Sequence, residues 1–247
     1  MPIDDFMQRR GAPRQPRTVS GDECKESEGR VPDELIDFWK VHGVGCYADT
    51  MYRMCTPPYF DEIFQVALGQ DASRFIEDFS AFGYSSLATV DLWHKAGRHF
   101  TLSLDAGLLM DVTSRDRTAA PPCDLEDMYR LAGLAMPENA REIFIAGRDV
   151  PEDIGAVLMS VTSDDNYRFV DDDLGLPLLP QLRKLHGELV EGEVYFRSHR
   201  DAPNLARHYL RTSVAEAVMR MPRPLIHAYA VEVEGMQEIR ETWYPCA

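Results

Sequence analysis

The chain has 247 residues, of which 45% are hydrophobic, and its 26 Lys and Arg against 41 Asp and Glu give a formal charge of −15. This length fits one large domain or two domains of about 120 residues each. A chain this acidic is repelled by phosphate backbones, so we expect no direct binding of DNA or RNA. It would be attracted to basic surfaces instead.

Membrane and disulfide-rich classes are also disfavoured. No stretch approaches the roughly 20 apolar residues of a membrane-spanning helix, and the N-terminal residues lack the basic and apolar regions of a secretory signal. The five cysteines form no CxxC pair, and their odd number disfavours a closed disulfide framework. We therefore expect reduced thiols in a cytoplasmic protein that binds no membrane.

The first half of the chain predicts a tail, two helices and a sheet. Residues 1–27 are rich in Arg, Pro and Gly and offer little apolar surface, which predicts a flexible tail or a loosely draped arm. A helix is predicted after Pro32 and a second one after Pro57, because proline suits the first helical position. Beyond Phe79 the apolar period changes to two, which is typical of strands. Three strands of an antiparallel meander are predicted: Ser86–His94, His99–Asp105 and Leu108–Thr113.

The second half mixes further helices and strands without a regular alternation, which favours an α+β fold made of two α+β halves. We expect one domain over residues 28–135, with two helices packed on the short meander. A second domain, with an acidic loop and a C-terminal hairpin, is expected over residues 136–247. The remaining predicted elements are helices Asp124–Leu134 and Asn204–Met221, strands Glu142–Ala146, Ala156–Val161 and Glu193–Ser198, and a hairpin of Ile226–Val233 with Met236–Trp243.

The sequence His-Gly-Val-Gly-Cys (42–46) places an imidazole and a thiol beside two glycines. A phosphate-binding loop would have a helix after its glycines, whereas here the predicted helix precedes them. Gly43 lies where a helix often ends in a left-handed residue. We therefore predict a positive φ at Gly43 and no ligand or metal at His42 or Cys46. On the same helix, Trp39 is predicted to be a core residue.

Signatures of common enzymes are missing, and we expect neither catalysis nor a cofactor. The sequence contains no GxSxG elbow, HExxH motif, P-loop or dinucleotide-binding fingerprint. His94 and His99 could meet His42 and Cys46 at a metal, but their spacing matches no zinc site. Cys46 and His42 could form a nucleophile and base, although no third group that orients the histidine is recognisable.

An acidic stretch, Thr-Ser-Asp-Asp-Asn-Tyr-Arg-Phe-Val-Asp-Asp-Asp-Leu-Gly (162–175), is the main candidate for function. Residues 151–194 contain ten acidic and three basic residues, a net charge of −7. The stretch is compatible with a solvated loop, with a partner-binding surface that has aromatic centres, or with a Mg²⁺ site. We rank these alternatives in that order. The candidate partner-binding residues are Asp164, Asp165, Tyr167, Phe169, Asp171, Asp172 and Asp173.

Residues 31–114 resemble the GAD-like domain of bacterial immunity proteins. Such domains open with a helix containing Pro, Leu, Ile and Trp, continue with a Gly-x-Gly-x-Tyr segment, and later have a proline turn and a strand meander that begins near a Phe-Gly pair. Residues 150–245 have a weaker resemblance to another immunity domain of polymorphic toxin systems. The matching residues are Pro32, Leu35, Ile36, Trp39, Gly43, Gly45 and Tyr47, with Pro57, Pro58, Tyr59 and Phe60 in the later turn.

The resemblance implies a cytoplasmic, non-enzymatic antitoxin that neutralises one toxin delivered by a secretion system, commonly of type VI. Such toxins are often nucleases or ADP-ribosyltransferases. A toxin that acts on nucleic acids or nucleotides tends to have a basic cleft, which an acidic inhibitor complements. Two alternatives stay open at this point: a protective enzyme of the ADP-ribosyl-hydrolase type, and an adaptor or chaperone that escorts an effector.

Overall fold

A computed structural model describes residues 3–47, 51–111, 154–162, 171–174, 176–199, 202–222, 225–233 and 236–244. The first part of the chain contains five helices and seven strands among these residues. They are α1 (Ile3–Arg10), β1 (Arg14–Arg17), α2 (Gly21–Ser27), α3 (Asp33–His42), β2 (Val44–Tyr47), β3 (Tyr52–Met54), α4 (Pro57–Leu68), α5 (Ala72–Asp78), β4 (Phe79–Ser85), β5 (Thr89–His94), β6 (Arg98–Ser103) and β7 (Leu108–Asp111).

The later described residues add three helices and four strands. Short 3₁₀ turns at Gly69–Asp71 and Ala206–His208 join neighbouring elements. The later elements are α6 (Ile154–Val161), α7 (Leu178–His186), β8 (Glu193–Arg197), β9 (Tyr209–Ser213), α8 (Val214–Arg220), β10 (Leu225–Val233) and β11 (Met236–Tyr244).

Nine described strands form one sheet in the order β1-β2-β3-β4-β5-β6-β7-β10-β11, and β8 pairs with β9 separately. Neighbours are antiparallel except for β7 and β10, which are parallel with Leu108 opposite Ile226. The α+β fold class is therefore confirmed. The C-terminal hairpin extends the meander of the first half, so the two predicted halves share this sheet. Their predicted boundary, between residues 135 and 136, lies outside the described residues.

Helix α3 ends where its sequence predicts. The Gly43 amide donates to the Trp39 carbonyl at 2.8 Å, and Gly43 has φ +72°, which confirms the predicted left-handed residue. A Cβ at Gly43 would lie 2.4 Å from the Arg17 carbonyl oxygen, so a side chain would also collide with the backbone of β1. Gly43 and Gly45 thus allow the N-terminal segment, which includes β1, to pack closely on β2.

The predicted core face of α3 is also confirmed. Leu35 and Trp39 are fully buried, and Trp39 lies in an apolar cluster with residues of α1, α6 and the sheet. Helix α4 begins at Pro57 as predicted and ends before Gly69, which has φ +60°. The aromatic side chains of α4 belong to a second apolar cluster, which also contains residues of strands β4 to β7.

The prediction of a flexible tail over residues 1–27 is wrong for residues 3–27, which we call the N-terminal arm. The Phe6 side chain is fully buried, with its ring centroid 5.0 Å from that of Tyr47. Ser20 and Glu23 form a capping box at the start of α2. One aromatic anchor and a well-capped helix therefore hold a segment whose overall composition is that of a disordered chain.

Glu23 fixes this arm through four hydrogen bonds. Its carboxylate accepts two from Arg17, each at 2.9 Å, one from the Ser20 amide and one from the Thr56 hydroxyl. The Arg17 guanidinium is the largest cause that lowers the Glu23 pKa to about 2 from its usual 4.5; burial opposes this change, and the other two donors favour it. The arm is thereby joined to the first turn of α4.

We expect Glu23→Gln to lower the free energy of unfolding at pH 7 by about 2 kcal/mol, which allows for the partial exposure of Arg17. Because the folded pKa is lowered, this stabilisation is present above pH 4.5 and is lost as the pH falls towards 2. Urea unfolding at several pH values measures it, with the exposed Glu26→Gln on the same helix as the control. An equal loss in both variants would contradict the role given to Glu23.

Two predictions in the second half are wrong, and one helix was missed. The predicted strand Ala156–Val161 is part of helix α6, whose buried Ile154, Val157 and Leu158 have helical spacing. The predicted helix Asn204–Met221 is a 3₁₀ turn, strand β9 and helix α8, which begins after Ser213 because the Ser213 hydroxyl caps the Glu216 amide. Helix α7 was not predicted at all.

Other predictions hold or lie outside the described residues. Strand β8 and the hairpin of β10 and β11 confirm the strand predictions for those segments. Strand β4, which precedes the predicted meander, was missed, and β5 begins three residues later than predicted. The predicted helix Asp124–Leu134 and strand Glu142–Ala146 lie outside the described residues.

Candidate partner-binding surface

The predicted contact residues are only partly described. Asp164, Asp165, Tyr167 and Phe169 lie outside the described residues. The other three form a turn over residues 171–174, here called the acidic turn, shortly before α7. The turn is held against residues 203–207, the segment that leads into β9. The structure thus gives Asp171, Asp172 and Asp173 different environments.

Asp171 is only 4% exposed, so its side chain cannot form a broad contact with a partner. One of its carboxylate oxygens accepts from the Asp173 and Leu174 amides, each at 3.1 Å, and the other accepts from the Ala206 amide at 3.0 Å. Burial raises the pKa of Asp171, but the three backbone donors outweigh it, and the pKa is lowered overall. Asp171 is therefore a positioning residue that holds the turn.

Asp172 and Asp173 are exposed and remain candidates for contact. Asp172 accepts from the Asn204 amide at 2.6 Å, and Asp173 pairs with Arg207 at 2.7 Å. Both members of the second pair are more than half exposed, so the pair contributes little to stability. A partner cation can therefore compete for the Asp173 carboxylate at a small energetic cost. The partner-binding role of this turn stays a prediction.

Exposed apolar side chains lie at both ends of α7, and sequence reasoning missed them. Leu174 and Leu176 precede the helix with 59% and 49% exposure, and Leu185 and Val190 follow near its end with 57% and 54%. Leu174 and Leu176 continue in period two to the buried Leu178, a pattern that does not reveal which of the three faces solvent. Both ends of α7 thus present exposed apolar side chains, and exposed acidic residues precede Leu174 directly in the chain.

Two further glutamates extend the negative charge beyond α7. Glu188 and Glu191 have side chains 68% and 57% exposed, and each has one basic residue nearby: Arg183 at 3.4 Å and Arg53 at 3.9 Å. Both distances are long and both glutamates are exposed although the arginines are largely buried, so these ion pairs leave the carboxylates accessible to solvent. The surface around α7 therefore presents carboxylates that a basic partner can reach.

The histidines and cysteines singled out in the sequence do not come together. The His99 ring nitrogen lies 2.8 Å from an Asp91 carboxylate oxygen, and both side chains are buried between strands β5 and β6. The His42 ring packs on Phe38, 4.8 Å between centroids. Within the described ranges, no group of three His, Cys, Asp or Glu side chains has the geometry of a metal site.

Burial makes Cys46 and Cys55 poor nucleophiles. Both side chains are buried, and burial is the main cause that raises the pKa of each thiol above its usual value. In a variant with Cys123 and Cys246 replaced by Ser, we expect iodoacetamide at pH 8 to label the folded protein at least tenfold more slowly than the unfolded protein. Fast labelling of Cys46 in the folded protein would contradict the structural role of residues 42–46.

No helix among the described residues combines the length and the apolar character needed to cross a membrane. A protein-family model described as the GAD-like domain matches residues 2–106, a range that includes the N-terminal arm. The crystal structure of Atu4351 from Agrobacterium tumefaciens is similar, with a TM-score of 0.65 and 14% sequence identity over 95% of this chain and 96% of that chain. This identity shows a shared fold alone. A comparison with curated proteins gives no match.

Proposed function

We propose that the protein is an immunity protein that binds a secreted bacterial toxin and occludes its active cleft, because the family model of the GAD-like domain matches residues 2–106. This match is the main support for the proposal, because the sequence resembles the GAD-like domains of bacterial immunity proteins. We place the protein in the cytoplasm, where a toxin delivered from a neighbouring cell would act, and propose that protection requires no catalysis.

Charge supports a basic toxin cleft as the target. The chain carries −15 overall, and the ion pairs described for the exposed carboxylates around α7 are either long or solvent-exposed. Attraction between unlike surfaces accelerates encounter, and apolar contacts then slow dissociation. Clefts that act on nucleic acids or nucleotides are basic, so we propose a nuclease or an ADP-ribosyltransferase as the partner.

The proposal is tested with the effector domain encoded by the neighbouring gene. Expression of that domain in Escherichia coli should stop growth, and co-expression of this chain should restore it. An effector variant without activity should elute together with this chain in size-exclusion chromatography. Cys46→Ser should protect as well as the native chain. Growth arrest despite co-expression, with separate elution of the two proteins, would overturn the proposal.

A further inference from the structure

Leu174 and Leu176 lie closer together in the sequence than any other two exposed large apolar residues among the described residues. Leu174 and Leu176 lie two positions apart, with Asp172 and Asp173 directly before them. Val41 and Val66 are more exposed, at 75% and 74%, but each is a single apolar side chain on the outer face of a helix. Single exposed apolar residues are ordinary, whereas apolar side chains clustered among charges are typical of contact centres.

Hydrogen bonds hold the backbone of this segment in place. The Asp171 amide donates to the Leu176 carbonyl at 2.8 Å, and the Leu174 amide donates to the Asp171 carbonyl at 3.2 Å. The Asp171 carboxylate binds the turn and the Ala206 amide, as described above, and the Asp172 amide donates to the Asn204 carbonyl at 3.0 Å. Leu174 thus belongs to a hydrogen-bonded turn, and the Leu176 carbonyl is bonded to the same turn, which reduces the ordering entropy lost on binding.

The charge around the leucines selects the kind of partner. Asp172 and Asp173 are exposed on one side, and the only described cation that pairs with either is Arg207, itself 63% exposed. A second copy of this chain would bring the same carboxylates against each other. A basic partner with an apolar depression would instead neutralise them while it buries the leucines.

We infer that Leu174 and Leu176 are the apolar anchor of the toxin interface and enter a depression in the basic cleft, while Asp172 and Asp173 pair with its Arg or Lys side chains. This inference rests on the proposed function and specifies the contact that produces it. Burying two leucine side chains slows dissociation, because the apolar contact forms only in the docked complex. The carboxylates act earlier, during encounter.

The test compares two double variants in binding to the inactive effector domain by surface plasmon resonance. Leu174→Ala with Leu176→Ala should raise the dissociation rate at least tenfold and leave the association rate within about twofold. Val41→Ala with Val66→Ala removes a similar exposed apolar area and should change neither rate. All four positions are exposed, so both variants should fold, which circular dichroism checks.

Three results would overturn the inference, and they are distinguishable. If the native chain binds and the leucine variant dissociates at the native rate, the anchor lies elsewhere although the immunity function stands. If the native chain does not bind the effector domain, the proposed function fails together with the anchor. If the native chain associates with itself and the leucine variant does not, a second copy of the chain is the occupant. This result would also overturn the inference.

Discussion

Replacing Trp39 by Ala is expected to lower the free energy of unfolding by about 3–5 kcal/mol, the cost of removing a large side chain from a close-packed core. Trp39 has no exposed surface and lies between α1, α6 and the sheet. Its indole nitrogen has no hydrogen-bond partner among the described residues, so the side chain contributes through packing. Trp39→Phe should therefore retain much of the lost stability.

Denaturant unfolding followed by far-ultraviolet circular dichroism measures these changes. Val41→Ala is the matched control, because Val41 lies two residues away on the same helix and is 75% exposed. It should change the free energy of unfolding by less than about 0.5 kcal/mol. A loss below about 1 kcal/mol for Trp39→Ala would show that the cluster around Trp39 does not stabilise the fold.

Reversal of the exposed carboxylates is expected to slow association with the toxin by about tenfold at low salt. In the variant, Asp172 and Asp173 become Lys, which replaces the attraction to a basic cleft with repulsion. The effect should shrink as salt rises, because the Debye length falls to about 8 Å at physiological ionic strength. Asp171 is left unchanged because its reversal would break the turn.

The control for this experiment carries the same change in net charge at another place. Glu62→Lys with Glu77→Lys alters exposed residues on α4 and α5. Stopped-flow association at several salt concentrations compares the two variants. A reduction of the same size in both would mean that the net charge, and not the acidic turn, steers the encounter.

Local signals in the sequence were sufficient for much of the first half. The prolines before α3 and α4 and the glycines after them define each helix without reference to the rest of the fold. The ordered N-terminal arm and the start of α8 at Ser213 were missed, although both have the same signature, a Ser followed three residues later by a Glu. In each case the prediction followed the composition of the surrounding residues and overlooked the short capping motif.

The sheet order and the chemistry of the site depend on distant contacts that no local pattern encodes. The parallel pairing of β7 and β10 joins residues more than 100 positions apart. Similarly, the sequence indicated that residues 171–173 are acidic but not which one is buried. Asp171 differs from its neighbours because the Ala206 amide reaches its carboxylate, 35 positions further along the chain.

The central claim is that protection results from occlusion of the toxin by binding, and a titration of toxin activity tests it most directly. A fixed amount of the purified effector domain is mixed with increasing amounts of this protein, and the remaining activity on the toxin's target is measured. Occlusion predicts a linear decrease that reaches zero at one equivalent. Two results would contradict the claim. An adaptor would leave the toxin activity unchanged even in excess, and an enzyme would repair modified target at a small fraction of an equivalent.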